Sequence, residues 1–425
     1  YKRGQGVSTK SLDRLWHTLP ENAGMSSDRL KGIDGIINNA IRDEVMPGCQ
    51  ILVVRKGQVV FDKSYGNHTY TQNKPVENSD IYDLASITKV AATTLATMKL
   101  YEEGRLSITT TLSTYLPELA GTNKADLTLR ELMTHQSGLQ AWIPFYKYTL
   151  SPDGSCDTNL YCALPDSSRS VRVADRLYTN YIIRDSIYRI INQSELEGRG
   201  KFRYSDLGFI YIQKVIENVT GMPLEMYVEK AFYAPLGLTT MTYLPRNKFP
   251  LDRIIPTEND IYFRRQLIHG DVHDPAAAMM GGVAGHAGLF SNAYDLAILM
   301  QMMLNKGSYG GVQFLKPETI TFFVAQQYEG NRKGLGWDKP PVDLHNGSPA
   351  SKYASALTYG HTGFTGTCVW ADPKEELIFI FLSNRVYPSA ENNKLAKLNI
   401  RTDIHDLIYL SIVGNDGNMV YSPAK

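Results

Sequence analysis

Strand-like runs stand at both ends of this 425-residue chain, and helical patterns fill the stretch between them. Near the start, Cys49-Gln-Ile-Leu-Val-Val-Arg55 and Gln58-Val-Val-Phe-Asp-Lys-Ser-Tyr65 flank Lys56-Gly57 and read as a hairpin around a glycine turn. Near the end, Leu357–Phe364, Thr367–Ala371 and Leu377–Ser383 are β-like, the last two joined by Asp372-Pro-Lys-Glu375. Strands this far apart bury their apolar faces most economically in one sheet. The expected fold is α+β: an antiparallel sheet from both termini, flanking helices, and an inserted, mostly helical lobe. The sheet-containing part takes about 25–85 and 310–425, the lobe about 105–290, and residues 1–24 read as a polar leader or linker. A cleft at the lobe boundary is the default site.

The helices announce themselves by spacing. Ser27 precedes Leu30, Ile33, Ile36, Ile37 and Ile41, an apolar face with a cap in front. Ile87 to about Glu103 is helical, with Gly104 as the stop. Thr128-Leu-Arg-Glu131 is a capping box. Ile212, Val215, Ile216 and Val219 mark a helix over 207–220, and Asn292 caps another through Leu296, Leu299, Met300, Met303 and Leu304. Its methionines read as core filler. A last helix spans roughly 395–412.

Bulk properties remove several classes. With 44 basic and 43 acidic residues the net charge is +1, against the basic excess of a dedicated nucleic-acid binder. The longest apolar stretch, Leu377–Leu382, is strand-sized rather than membrane-spanning. The start at Tyr1, not Met, with no signal peptide, is read as a trimmed chain: a mature product, an expressed fragment or a piece of a longer protein. Cys156 and Cys162 share a polar loop and form either a local disulfide, as exported proteins allow, or two free thiols. His269 and His273 are four apart, but Gly270 and Asp274-Pro275 work against a helix, and a loop is the better reading than a metal site. His135 and His286 are read as loop-orienting residues. No cofactor or metal is expected.

Three short elements carry chemistry. Ser86-Ile-Thr-Lys89 puts a serine at a helix start, near free N–H groups and the positive dipole end, with a lysine one turn on. Such a lysine works as a base only if it loses its proton near neutral pH. Alone the pattern is weak, since average usage gives roughly one or two matches in a chain this long. Tyr204-Ser-Asp206 precedes the helix at 207, and its tyrosine could relay a proton beside a lysine. Tyr359-Gly-His-Thr-Gly-Phe-Thr-Gly366 carries glycines in a β-like run, where a ligand can approach backbone and an N–H can serve an oxyanion hole.

In that order the elements resemble the three motifs of the serine β-lactamase and penicillin-binding-protein superfamily, nearest its class C-like branch with D-peptidases and esterases. Supporting matches are Met133-Thr-His-Gln-Ser-Gly-Leu139, Pro235-Leu-Gly-Leu-Thr-Thr-Met241 and Gly281-Gly-Val-Ala-Gly-His-Ala-Gly-Leu-Phe-Ser291, and the resemblance covers about residues 25–412. It implies Ser86 as acylated nucleophile, Lys89 and Tyr204 as its base network, and the Ser86 and Phe364 amides as oxyanion hole. It also implies that Asp206, His361, Thr362 and Gly363 line the substrate. Two departures stand out: Asp206 where β-lactamases usually have Asn, and His361 where they usually have Lys. The first favours the ammonium form of Lys89, the second weakens carboxylate binding, and both point away from β-lactam hydrolysis. Tyr82–Ser86 and His269–Ala276 are similar to the β-lactamase-like domain fused to family 3 glycoside hydrolases in Bacteroidetes, and to a penicillin-binding protein of the 4B type. The implied function is acyl-enzyme hydrolysis of a D-amino-acid peptide, amide or ester from peptidoglycan, in an exported protein. The alternatives are a true β-lactamase and a non-catalytic scaffold domain.

Overall fold

The computed structural model describes residues 14–340, 348–414 and 418–422. Its central sheet has six strands: β1 (Trp16–His17), β2 (Gly48–Arg55), β3 (Gln58–Gly66), β4 (Tyr359–Gly363), β5 (Thr367–Asp372) and β6 (Leu377–Ser383). The order across the sheet is β1-β3-β2-β6-β5-β4. The N-terminal hairpin meets the C-terminal strands where β2 pairs with β6, Leu377 opposite Arg55 through Ser383 opposite Cys49.

Alternation along these strands sorts the core into two layers. Ile51, Val53, Trp370, Phe379 and Phe381 face one layer, and Leu52, Val54, Val369, Ile378, Ile380 and Leu382 face the other. Every residue of β6 is buried, as expected for a strand covered on both faces. Helices α1 (Gly32–Arg42) and α4 (Ile400–Leu410) cover the first face through Ile33, Ile37, Ile404 and Ile408. The second face receives the lobe, which contains α2 (Leu207–Thr220), and α3 (Ala293–Leu304), whose Met300, Met302 and Met303 are buried as filler.

The structure corrects several expectations. The sheet is mixed, because β1 runs parallel to β3. Part of the supposed leader is therefore built into the fold: Leu15 and Ala23 are buried beside it. A two-residue strand is too short to show periodicity, so the sequence hides it. The first cap is Ser26, not Ser27; its hydroxyl accepts from the Arg29 N–H, and a break at Lys31 precedes α1. The last helix is likewise split, into Lys394–Lys397 and α4, at Leu398–Asn399. Small β elements lie between the two parts as well: Tyr82–Asp83 from the first forms a three-stranded sheet with Leu289–Ser291 and Thr242–Tyr243. The Thr128 capping box and the Asn292 cap form as expected. Cys156 and Cys162 are free thiols, each directed at a backbone carbonyl. Among the described residues no helix is long and apolar enough to cross a membrane.

Candidate active site

Ser86 lies in a tight turn, Ala85–Ile87, that leads through a widened π-type turn, Lys89–Thr94, into the helix Leu95–Glu102. The irregular start has a cause. Ala85 sits at φ +47°, a left-handed conformation that costs a non-glycine residue roughly 1–2 kcal/mol. The Asp83 carboxylate holds it there, accepting from the Ala85 N–H at 2.8 Å and the His273 N–H at 2.7 Å. Burial raises the Asp83 pKa against these two donors. The far end of the chain clamps the same turn: the Thr365 hydroxyl donates to the Asp83 carbonyl and the Thr367 hydroxyl to the Leu84 carbonyl, at 2.8 and 3.2 Å.

Two groups converge on the Ser86 Oγ. Lys89 Nζ donates to it at 2.8 Å, and the Tyr204 hydroxyl donates to it at 2.9 Å. Lys89 is fully buried; its Nζ also donates to the His286 carbonyl at 3.1 Å and pairs with Asp206 Oδ1 at 2.6 Å. Asp206 leaves the cap of α2 unserved and turns to Lys89 instead. Burial alone would lower the Lys89 pKa, but Asp206 and Tyr204 outweigh it and hold the lysine above its usual value. Burial likewise raises the Tyr204 phenol, with Lys89 opposing. The resting network therefore stores its proton on Lys89, and Asp206 keeps it there.

The remaining motif residues frame this centre. The His135 ring packs against Tyr204, tilted by 35° with centroids 4.5 Å apart, and its Nδ1 accepts from the Ser205 N–H at 3.1 Å, so it positions the second motif. The Asp274 carboxylate pairs with His286 Nε2 at 2.9 Å and caps the helix Pro275–Met279, in the wall behind Lys89. Burial would raise the Asp274 pKa, but His286 holds it well below the usual range. His269 and His273 do not share a site: His269 faces the Leu251 and Ile254 carbonyls, and His273 pairs with Glu258 at 2.9 Å.

β4 is the edge strand beside Ser86. Gly360 uses its N–H and C=O outward, bonding the Asp338 backbone at 2.9 and 2.8 Å. Antiparallel alternation then places the Thr362 N–H and C=O on the same outer side, and His361 points its ring toward the lobe, 6.2 Å from Tyr204. Burial, with Lys333 and Lys89 nearby, drives the His361 pKa far down, so the ring is neutral. Its Nδ1 lies 2.7 Å from the Thr362 carbonyl and must carry the proton, which leaves Nε2 as a bare acceptor. The ring thus offers a lone pair where the resemblance implies a carboxylate contact. Gly363 is required by close approach. A Cβ there would stand 2.1 Å from Thr367 Oγ1 and 2.6 Å from the Leu84 carbonyl. Gly363→Ala is expected to push β4 off the Ser86 turn and to slow fluorophosphonate labelling of Ser86 by about 100-fold. An unchanged labelling rate would show that this approach is not needed.

Ser86, Tyr204, Asp206, His361, Thr362, Gly363 and Phe364 all line one cavity of about 820 Å³, and Lys89 stands behind its wall. The three separated motifs are thus one site. A family model described as Beta-lactamase matches residues 33–402. The chain belongs to the β-lactamase family. It is a serine hydrolase of that family, and its curated relatives include an Escherichia coli (strain K12) protein named "Putative D-alanyl-D-alanine carboxypeptidase". That relative is 33% identical over 419 residues, covering 91% of this chain and 90% of its own. Among solved structures, a class C β-lactamase from Rhodobacter sphaeroides aligns with TM-score 0.61 at 19% identity, over 89% of this chain and 98% of its own. EstCE1, a hydrolase with promiscuous acyltransferase activity, aligns at 0.63 and 20% identity, over 89% and 99%. Both share the fold.

This β-lactamase-family site also contains residues that sequence reading missed. Lys333 is buried, paired with Asp338, and stands 5.6 Å from the centre of the Tyr204 ring. Burial, with Arg332 and Lys89 near, pushes its pKa down, and the Asp338 carboxylate acts against that. Arg332, Arg385, Arg401 and Trp142 line the same cavity. None belongs to a periodic or spaced pattern; only Asn331-Arg-Lys-Gly-Leu-Gly-Trp-Asp338, two cations before a glycine turn, offers a local signal.

Proposed function

We propose that this protein hydrolyses a D-amino-acid peptide, amide or ester through an acyl-enzyme on Ser86. One observation carries the reading: Lys89 Nζ and the Tyr204 hydroxyl both meet the Ser86 Oγ within 2.9 Å, inside a cavity large enough for a peptide end. In this reading Lys89 and Tyr204 pass the serine proton to the leaving group and then activate water. The Ser86 and Phe364 amides receive the carbonyl oxygen, and Asp206 tunes Lys89. The carboxypeptidase name of the E. coli relative supports a D-alanyl peptide from peptidoglycan, and with it export to the cell envelope.

The test is turnover of a panel: a D-alanyl-D-alanine peptide, an aryl ester and nitrocefin, with intact mass read at Ser86. Turnover of peptide or ester with a transient adduct is the expected result. Muropeptide binding without any turnover would replace this reading with the scaffold one. Nitrocefin as the best substrate would replace it with a β-lactamase.

A further inference from the structure

His273 stands outside the three motifs, yet three bonds lock it into the wall of the Ser86 cavity. Its N–H donates to Asp83 Oδ2 at 2.7 Å, and its carbonyl accepts from Arg264 Nη2 at 2.6 Å. Its ring Nε2 lies 2.9 Å from Glu258 Oε2. Burial would raise the Glu258 pKa, but His273 and the Ala390 N–H hold it below its usual value, so the carboxylate is ionised and Nε2 is the donor. The holders are themselves held. Arg264 forms a fully buried pair with Asp260 at 2.9 Å, and Glu258 accepts from the Ala390 N–H at 3.0 Å and the Tyr262 hydroxyl at 3.3 Å.

From this position His273 touches both segments that supply the oxyanion amides. Its N–H shares the Asp83 carboxylate with the Ala85 N–H, one residue before Ser86. Its ring stacks on Phe364, with centroids 5.6 Å and planes 28° apart. Phe364 depends on such support. Its side chain is exposed rather than packed in the core, and it follows Gly363 in a turn closed by the Gly366 N–H on the Gly363 carbonyl at 3.1 Å. Arg385 Nε holds the Phe364 carbonyl at 2.9 Å, and its guanidinium lies 4.5 Å from the ring centre. Among the described residues nothing accepts from the Phe364 N–H. With the carbonyl held by Arg385 and the ring held by His273, the residue cannot roll, and the direction of that N–H is fixed.

We propose that His273 is a positioning residue of the oxyanion hole: its ring face keeps the Phe364 amide aimed at the oxygen that develops charge, and Glu258 fixes the ring. The proposal rests on acyl transfer at Ser86 with the Ser86 and Phe364 amides as donors. The test compares p-nitrophenyl acetate with p-nitrophenyl thionoacetate, which differ by one atom at the reacting carbonyl. Sulfur is larger and accepts hydrogen bonds more weakly, so aimed donors favour the oxygen ester and loosened donors discriminate less. In the wild-type protein kcat/KM favours the oxygen ester beyond the ratio for hydroxide alone. In His273→Ala, and in His273→Gln, the oxygen-to-sulfur ratio falls about 10-fold. Both variants keep the backbone bonds to Asp83 and Arg264, and the glutamine keeps a donor for Glu258 but has no ring face. The double variant His273→Phe with Glu258→Gln keeps an aromatic face without burying an unpaired carboxylate, and it returns the ratio to within about threefold of wild type. The readout is a ratio, so a variant that merely folds less well leaves it unmoved. A ratio equal in wild type and both single variants, or as low in the double variant as in the single ones, overturns the proposal while leaving the hydrolase reading intact. Failure of both esters to acylate Ser86 overturns both.

Discussion

Ser86→Ala is expected to abolish labelling by fluorophosphonate and penicillin probes and to lower ester turnover by roughly 10⁴-fold or more. The fall is steep because no neighbour can stand in for the hydroxyl. Lys89 is held protonated by Asp206, and the Tyr204 phenol is buried and neutral. Intact mass before and after probe reads the result directly. The fold should persist, since the Ala85–Ile87 turn is held by Asp83, Thr365 and Thr367 rather than by the serine. Residual labelling at wild-type rate would place the nucleophile elsewhere.

Asp206→Asn should change the pH dependence of acylation more than any other single substitution. In the wild type the Lys89 pKa is raised, so its neutral form is scarce near pH 7, and kcat/KM should climb as pH rises into the alkaline range. That climb reports the free enzyme. The asparagine removes the carboxylate and leaves burial as the dominant influence, which lowers the lysine pKa. The climb then moves toward neutral pH, and kcat/KM at pH 7 rises about tenfold for each unit moved. The same change carries a stability cost at neutral pH. A group whose folded pKa is raised stabilises the fold below its unfolded value near 10.5 and loses that contribution as pH rises through the folded value. Wild type and variant should therefore differ in stability at neutral pH and converge at strongly alkaline pH. A kcat/KM profile that stays in place would show that the charge on Lys89 does not limit acylation.

Much of this site could be read before any coordinates. Ser86 and Lys89 share a turn, Tyr204 and Asp206 share the approach to a helix, and Gly363 sits in a strand with no room for a side chain; local rules reach each of these, and the family resemblance joins them. That Asp206 stands near Lys89 came with the family resemblance, and charge then gave the direction of its effect on the lysine. What escaped was set by tertiary approach. Lys333 reaches Tyr204 because Asp338 is hydrogen-bonded to Gly360 and Asn331 Nδ2 donates to the Thr134 carbonyl, contacts between distant segments. The tautomer of His361 depends on a single carbonyl, that of Thr362, which residue type cannot reveal. Strand β1 and cap Ser26 escaped because two residues show no period, and because two serines in succession compete for one cap.

The pairing of β2 with β6 has a consequence for when this protein becomes active. The nucleophile is made early in synthesis, but the strand beside it and the threonines that clamp its turn are made last. A nascent chain that ends before Tyr359 has Ser86, Lys89, Tyr204 and Asp206 in hand, yet lacks both the β4 edge and three of the six strands of its sheet. Contacts of such long range close late and slowly. The turn that carries the nucleophile is therefore completed only by the last strands to be made.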